Sequence, residues 1–202
     1  MGFRSFLENQ KILARAEDEI TLDADFVWLP IIASVLAMFG IVLNNQYILI
    51  GAMLVAPFLD PIISFVSFLI LRKWQESLVA LGTLTFIFAL AIGSAIITYV
   101  VSDFLGWVPE QIAYIPNIGG AYFVVAVLLG IIGSLMWIWP KTSNTIAGLS
   151  IGISLVPPLA NLGRAIAIWD IADLQVSLES VATNILGIFI GAFIILVFRP
   201  HS

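Results

Sequence analysis

The chain alternates between six long apolar segments and short stretches that hold most of its polar residues. The segments are residues 26–43, 47–71, 78–101, 120–139, 146–168 and 181–198. Each is at least 18 residues long, and a helix needs roughly 17–25 apolar residues to cross the hydrocarbon core of a bilayer. The pattern therefore predicts six transmembrane helices.

Composition and charge agree with a membrane protein. Hydrophobic residues make up 61% of the chain and charged residues only 10%, whereas soluble domains are about 25% charged. Of the 21 charged residues, 19 lie outside the six segments, and the exceptions are Asp60 and Arg164. We therefore expect an all-α integral membrane protein whose main partner is the lipid bilayer.

The basic residues predict an orientation, because Lys and Arg concentrate in cytoplasmic loops. With the N-terminus inside, seven of the eight basic residues fall in inner segments, and the outer loops carry only acidic charges. We therefore expect a multi-pass protein of the inner, cytoplasmic membrane with both termini in the cytoplasm.

This orientation divides the chain into five parts. They are a cytoplasmic amphipathic helix and lead-in (1–25), a first set of three spans (26–101), an outer loop (102–119), a second set of three spans (120–198) and a cytoplasmic tail (199–202). The first helix lies against the membrane or a partner, or it is a half-buried lead-in to the first span, which is the interpretation we prefer.

The second and fifth spans share a pattern. Residues 50–60 match residues 151–161 at a constant offset of 101 positions. The pairs that carry the match are Gly51 with Gly152, Pro57 with Pro158, and Asp60 with Asn161. Because the copies are three spans apart, they run in opposite directions, which predicts an inverted-topology repeat of three plus three spans.

Prolines near the middle of these two spans predict broken or kinked helices, because proline removes a backbone donor and clashes with the preceding turn. They are Pro57 and Pro61 in the second span, and Pro157 and Pro158 in the fifth. Broken backbone at membrane depth is tolerated only when it is buried in protein or lines a wet cavity. We therefore expect the two breaks to face each other inside the protein.

Asp60 is the only acidic residue near the middle of a span. Before Pro61 it is a natural N-cap for a helix that restarts there. Functionally, it could bind a cation, carry a proton or face a polar substrate. The two interpretations are compatible, since transporters build sites at broken helices.

Other polar residues of the fifth and sixth spans have mainly structural interpretations. Asn161 is expected to cap or hydrogen-bond the freed backbone, and Arg164 to extend its charge toward the outer headgroups. Ser154, Thr183 and Asn184 are expected to make hydrogen bonds between helices.

Two glycine pairs have the spacing that lets membrane helices approach closely. They are Gly148 with Gly152 and Gly187 with Gly191. Each pair predicts tight helix packing, within one protomer or between protomers.

Several classes of site are not expected. The chain has no cysteine, and its single histidine is His201. We therefore expect no metal site, no cofactor and no nucleic-acid partner. The sequence also lacks an HExxH motif, and a serine nucleophile would have no histidine base, so we expect no enzyme.

The motif residues resemble those of a prokaryotic family of uncharacterized hydrophobic proteins, domain of unknown function 389. Residues 50–57 (IGAMLVAP) resemble its first signature and residues 154–160 (SLVPPLA) its second, while Thr183 and Asn184 stand where the family has a Thr-Asn pair. The resemblance runs from about Tyr47 to Phe198 and implies a membrane architecture without an established activity.

Two functions fit these patterns. The first is a transporter or channel for an ion or small polar solute, with a polar site where the two breaks face each other. The second is a non-transporting membrane scaffold or interaction protein. For either we expect a homo-oligomer. The candidate site residues are Pro57, Asp60, Pro61, Ser154, Pro157, Pro158 and Asn161, with Arg164 as an outer-side charge.

Overall fold

The computed structural model describes residues 3–18, 20, 23–112, 114, 118–138 and 144–198, with side chains for all of these except 3–9, 11 and 144–154. The described residues form eight helices and no strand. The helices are α1 (Phe3–Asp18), α2 (Asp25–Val42), α3 (Gln46–Met53), α4 (Leu59–Ile70), α5 (Trp74–Phe104), α6 (Gly120–Ile138), α7 (Asn144–Ile168) and α8 (Ile171–Val197).

Four of these helices are long and apolar enough to cross a bilayer, judged by length and composition: α2, α5, α6 and α8. They cover the first, third, fourth and sixth predicted segments. Large apolar side chains such as Phe86, Val124 and Leu186 are exposed on their outer faces, as expected of surfaces that contact lipid. Together these helices indicate a membrane protein.

Of the other two predicted segments, only the second departs from a single helix. The second is two short helices, because α3 ends at Met53, α4 begins at Leu59 and residues 54–58 are not helical. The fifth corresponds to α7, in which the shorter apolar stretch Leu155–Ile168 has described side chains.

The bundle has two ends, which we name after Asn44 and Arg15. The Asn44 end holds the connections that follow α2, α5 and α7, and Asn44 Nδ2 donates there to the carbonyl of Gln111 (3.0 Å). The Arg15 end holds α1, the connection after α4 and the last turn of α8, where Ile12 and Leu196 line one small cavity.

Helices α6 and α8 pack closely, because glycines remove the side chains between them. A Cβ atom on Gly191 would lie 2.1 Å from the carbonyl oxygen of Val127, and one on Gly187 would lie 2.5 Å from Cβ of Ala126. Backbone cannot yield to such contacts without moving a whole helix. The packing predicted for this glycine pair is therefore confirmed within one protomer.

Helix α1 packs against α4 at the Arg15 end. Ala16 is fully buried, and Ile12 and Leu13 pack against the core. The guanidinium of Arg15 lies over the ring of Trp137 in α6, with Cζ 4.6 Å from the ring centroid, and it donates to the Trp137 carbonyl. A cation–π contact of this kind stabilises by about 0.5–2 kcal/mol, so α1 is joined to both α4 and α6.

Candidate functional site

The non-helical residues 54–58 lie at the centre of the first candidate site. Pro57 is half-buried within them, and Pro61 is buried in the first turn of α4. The N-cap of α4 is Phe58, which makes no side-chain capping bond, so the predicted N-cap role of Asp60 is wrong by two positions. Asp60 is instead half-buried in the first turn, where the partial positive charge of a helix N-terminus favours a carboxylate.

Helix α7 does not break at its prolines. It continues through Pro157 and Pro158, and both are buried. The reason is its central position, since α7 packs against α2, α3, α4, α5, α6 and α8, and neighbouring helices can hold a proline-containing membrane helix together. The fifth span is therefore continuous rather than broken, and a kink at its prolines stays a prediction. The side chain of Ser154 and the pair Gly148 and Gly152 lie where side-chain surroundings are not described.

The contacts of α7 with α3 and α4 bring the two matched segments of the chain side by side. The interruption at residues 54–58 thus lies next to a buried, continuous helix rather than opposite a second break. Only one of the two predicted breaks is present to form a site.

A network of four polar side chains joins α7 to α8. Asn161, which is 0% exposed, donates from Nδ2 to Ser177 Oγ (2.8 Å) and to Asp173 Oδ1 (3.1 Å). Arg164 donates from Nε to Asn161 Oδ1 (2.9 Å), and its Nη2 forms an ion pair with Asp173 Oδ2. We call these residues the α7–α8 network. Every one of them has a partner, so the network locks the two helices together.

Two expectations about this network are corrected. The side chain of Arg164 is only 15% exposed and pairs with Asp173, so it does not extend freely to the headgroups. Asn161 bonds to side chains of α8 rather than to freed backbone. The reason is that a partly buried guanidinium is stabilised more by a carboxylate and an amide oxygen than by partial solvation.

Asp173 and Ser177 were missed as site residues, because the sixth span was predicted to begin at residue 181, whereas α8 begins at Ile171. The signal lies in Asp170. Its side chain caps α8 by accepting from the backbone N–H groups of Ala172 (2.9 Å) and Asp173 (3.1 Å), as aspartate at an N-cap commonly does.

Tyr114, in the connection between α5 and α6, lies near the α7–α8 network. Burial raises the pKa of its hydroxyl well above the usual value; the negative charge of Asp173 adds to this shift, and the positive charge of Arg164 opposes it. Its Oη atom is buried and has no hydrogen-bond partner among the described residues. Tyr114 also lines a cleft of about 70 Å³ beside Asn44 and Asn45. An unpaired hydroxyl thus faces the charged network at the Asn44 end.

The remaining polar candidates on α8 have ordinary surroundings. Asn184 is buried and donates to the carbonyl of Ser180 (2.8 Å) one turn earlier, and Thr183 is half-buried. Over the described part of the chain, no three His, Cys, Asp or Glu side chains are grouped closely enough to hold a metal ion.

Four apolar helices long enough to cross a bilayer, with buried polar side chains between helices, indicate an α-helical membrane protein. Residues 53–190 match the sequence model of the family described as domain of unknown function (DUF389). The match covers well over half of the chain, so the protein belongs to the DUF389 family, and the resemblance seen in its motifs is confirmed. Neither a curated protein nor a solved structure matches the chain.

Proposed function

We propose that the protein is a transporter or channel that moves a small polar solute or ion across the membrane. The observation that carries this proposal is the interruption of an apolar segment at residues 54–58, next to the central helix α7. We place the solute site at this interruption, with Pro57, Asp60 and Pro61 in the interrupted segment and Pro157 and Pro158 of α7 beside it, while Asn161 is held by α8.

The physical reason is that an interrupted helix leaves backbone groups without helical hydrogen-bond partners. In a continuous helix every interior backbone group is hydrogen-bonded, whereas an interruption frees several N–H and C=O groups in a region without water. Membrane proteins tolerate this where the freed groups line a wet cavity, and transporters use such groups to bind ions and polar substrates. A scaffold gains nothing from an interruption beside an acidic side chain.

We also propose an inverted repeat of three plus three spans, an arrangement that many transporters use when one repeat rocks against the other. Both proposed copies reach a tight turn at a residue in the left-handed conformation, Arg72 (φ 57°) and Trp169 (φ 57°). Ile50 precedes its turn residue by 22 positions, while its counterpart Ile151 precedes the second by 18. Because residues 50–60 and 151–161 align without a gap, the four extra residues of the first copy lie between Asp60 and Arg72, in α4 and the turn that follows it.

For the orientation, we propose that the Arg15 end is cytoplasmic and the Asn44 end faces outward across the inner membrane. The distribution of Lys and Arg supports this, because seven basic residues then lie inside. A homo-oligomer is proposed on the general ground that small membrane proteins commonly assemble symmetrically.

Cysteine accessibility tests the proposal, since the chain contains no cysteine of its own. Single variants Phe58→Cys and Asp60→Cys would be treated with a charged, membrane-impermeant thiol reagent from each side of sealed vesicles. Leu186→Cys is the matched control, because Leu186 is exposed on the face assigned to lipid. We expect reaction at positions 58 and 60 and none at 186, because water reaches only a polar pathway.

Flux measurements complete the test. Purified protein in liposomes should pass an ion or small solute, and Asp60→Asn, which removes the charge and keeps the shape, should reduce that flux at least several-fold. If positions 58 and 60 are unreactive and no solute passes, the transport proposal is wrong and the scaffold remains.

A further inference from the structure

A stripe of three polar side chains runs along α4. Asp60, Ser64 and Ser67 are spaced four and three residues apart, which places them on one face of a helix. We call them the α4 stripe. Asp60 is half-buried, while Ser64 and Ser67 are 0% and 2% exposed. The stripe therefore points into the protein and not toward lipid.

The two serine hydroxyls differ from the other buried serines of the bundle. Neither Ser64 Oγ nor Ser67 Oγ has a hydrogen-bond partner among the described residues. By contrast, Ser102 donates to the carbonyl of Thr98 (2.8 Å) and Ser134 to that of Gly130 (2.8 Å), each within its own helix. Serine can always form this bond in a helix. Ser64 and Ser67 do not form this bond to a carbonyl of their own helix. Their hydroxyls are therefore available to another partner.

Leaving a buried hydroxyl unpaired costs about 1–3 kcal/mol. Buried polar groups are therefore almost always satisfied by protein, water or a ligand. Two unpaired hydroxyls within one turn of each other, on the same face as a carboxylate, mark a row of positions where a polar ligand supplies the missing partner.

The stripe connects the interruption to the Arg15 end. Asp60 lies in the first turn of α4, directly after residues 54–58. Ser67 lines a cavity of about 10 Å³ at the other end of the helix, together with Ile12 of α1 and Leu196 of α8. This volume holds about one water molecule. The polar positions thus follow one face of α4 from its first turn to the cavity beside Ser67, where Ile12 of α1 is part of the lining.

The atoms along the path favour a cation. A carboxylate and hydroxyl oxygens are the ligands of hard cations, and α4 contains no Lys or Arg. Among the described residues of the Asn44 end, Asp103, Glu110 and Asp170 are acidic, while Asp173 is matched by Arg164, and acidic groups at the mouth of a pathway select for cations. One carboxylate and two hydroxyls offer fewer charged ligands than a divalent cation usually takes, which favours a monovalent ion.

Resting on the transport function proposed above, we propose that the α4 stripe binds a monovalent cation and its water and passes it between the interruption and the Arg15 end. Asp60 supplies the charge. The hydroxyls of Ser64 and Ser67 replace part of the hydration shell, and Ile12 of α1 closes the exit.

Silver ions test the path directly. Ag⁺ is a monovalent cation that reacts with thiols, and serine to cysteine changes side-chain size very little. Ser64→Cys and Ser67→Cys would be exposed to Ag⁺ in chloride-free buffer and the remaining free thiols counted after unfolding. The matched control is Ser134→Cys, a buried position near the same end whose hydroxyl is already bonded. We expect positions 64 and 67 to react at least tenfold faster than position 134, and equal rates would overturn the proposal.

The sign of a diffusion potential tests the selectivity. Liposomes holding concentrated KCl in dilute KCl become negative inside if K⁺ leaves faster than Cl⁻, and a potential-sensitive dye reports this. We expect an interior-negative potential with the wild-type protein. Ser64→Ala combined with Ser67→Ala should slow K⁺ flux at least fivefold, while Ser134→Ala leaves it unchanged. A positive interior, or no effect of the serine variants, would overturn the cation path.

The outcomes separate the two proposals. If solute passes and depends on Asp60 but is not a cation, or is indifferent to the two serines, the cation path is wrong and the transport function stands. If the wild-type protein passes no ion or solute, both are wrong. Gel filtration and tryptophan fluorescence of each variant in detergent show that it remains folded.

Discussion

The α7–α8 network and the α4 stripe are both sets of polar side chains in an apolar bundle, but only the first is complete. In the network, Asn161 is bonded to Ser177, Asp173 and Arg164, and the charge of Arg164 is matched by Asp173. In the stripe, two hydroxyls have no partner among the described residues. Polar groups that are all hydrogen-bonded to one another stabilise the fold. Buried polar groups without a protein partner need a water molecule or a ligand to bond to. Burial alone therefore does not distinguish a structural network from a binding site. The hydrogen bonds of the buried groups make that distinction.

The largest effect is expected when the ion pair of the network is cut. Asp173→Ala leaves the partly buried guanidinium of Arg164 without its counter-charge, which should lower the free energy of unfolding by about 3 kcal/mol. Denaturant unfolding in detergent, followed by tryptophan fluorescence, measures this. Asp103→Ala, at an exposed position near the end of α5, is the control. Equal stability of the two variants would show that the network is not a lock.

A smaller loss is expected from Asn161→Leu, which keeps the size of the side chain but removes its three hydrogen bonds. Arg164 Nε and Ser177 Oγ would each lose a partner in a buried position, at a cost of about 2 kcal/mol. The same unfolding measurement applies. A loss below about 0.5 kcal/mol would mean that Arg164 and Asp173 hold the helices together without the amide.

The comparison between network and stripe is sharpest for single serines. Ser177→Ala removes an acceptor used by Asn161 and should destabilise by about 1 kcal/mol. Ser64→Ala removes no hydrogen bond to the described residues, so it should not destabilise the protein by more than about 0.5 kcal/mol, and it stabilises the protein if the hydroxyl is left unpaired. If Ser64→Ala destabilises the protein as much as Ser177→Ala does, the stripe has a protein partner and is structural.

The smallest effect concerns Tyr114 and depends on pH. Burial raises the pKa of this hydroxyl above its value of 10.0 in an unfolded chain, so the folded protein favours the protonated form. The contribution of this pKa shift to the free energy of unfolding is fully present below pH 10 and is lost as the pH rises above 10. Tyr114→Phe should match the wild type at pH 7 and lose less stability between pH 10 and 11. If both proteins lose the same stability over this pH range, the pKa of the Tyr114 hydroxyl is the same in the folded and unfolded states.

Much of the helix placement could be predicted from apolar runs, because a bilayer demands them. The predicted segments at 26–43, 120–139 and 146–168 end within two residues of α2, α6 and α7. The start of α8 was missed by ten residues, because its first turns contain Asp173 and Glu179. Hydropathy finds the part of a helix that contacts lipid, while the cap at Asp170 decides where the helix begins.

Proline positions predicted less, because tertiary packing decides whether a proline breaks a helix. α2 continues past Pro30, and α7 continues past Pro157 and Pro158, yet the chain is not helical around Pro57. α7 is surrounded by six helices that hold it in shape. The side-chain pairing of Asn161 with α8 likewise depends on helix packing, which no local pattern of one sequence contains.

The glycine contacts between α6 and α8 have a mechanical consequence. With Gly191 set against the carbonyl of Val127, any side chain larger than hydrogen at this position would force the two helices apart. A variant such as Gly191→Ala would therefore move a whole helix rather than a single side chain.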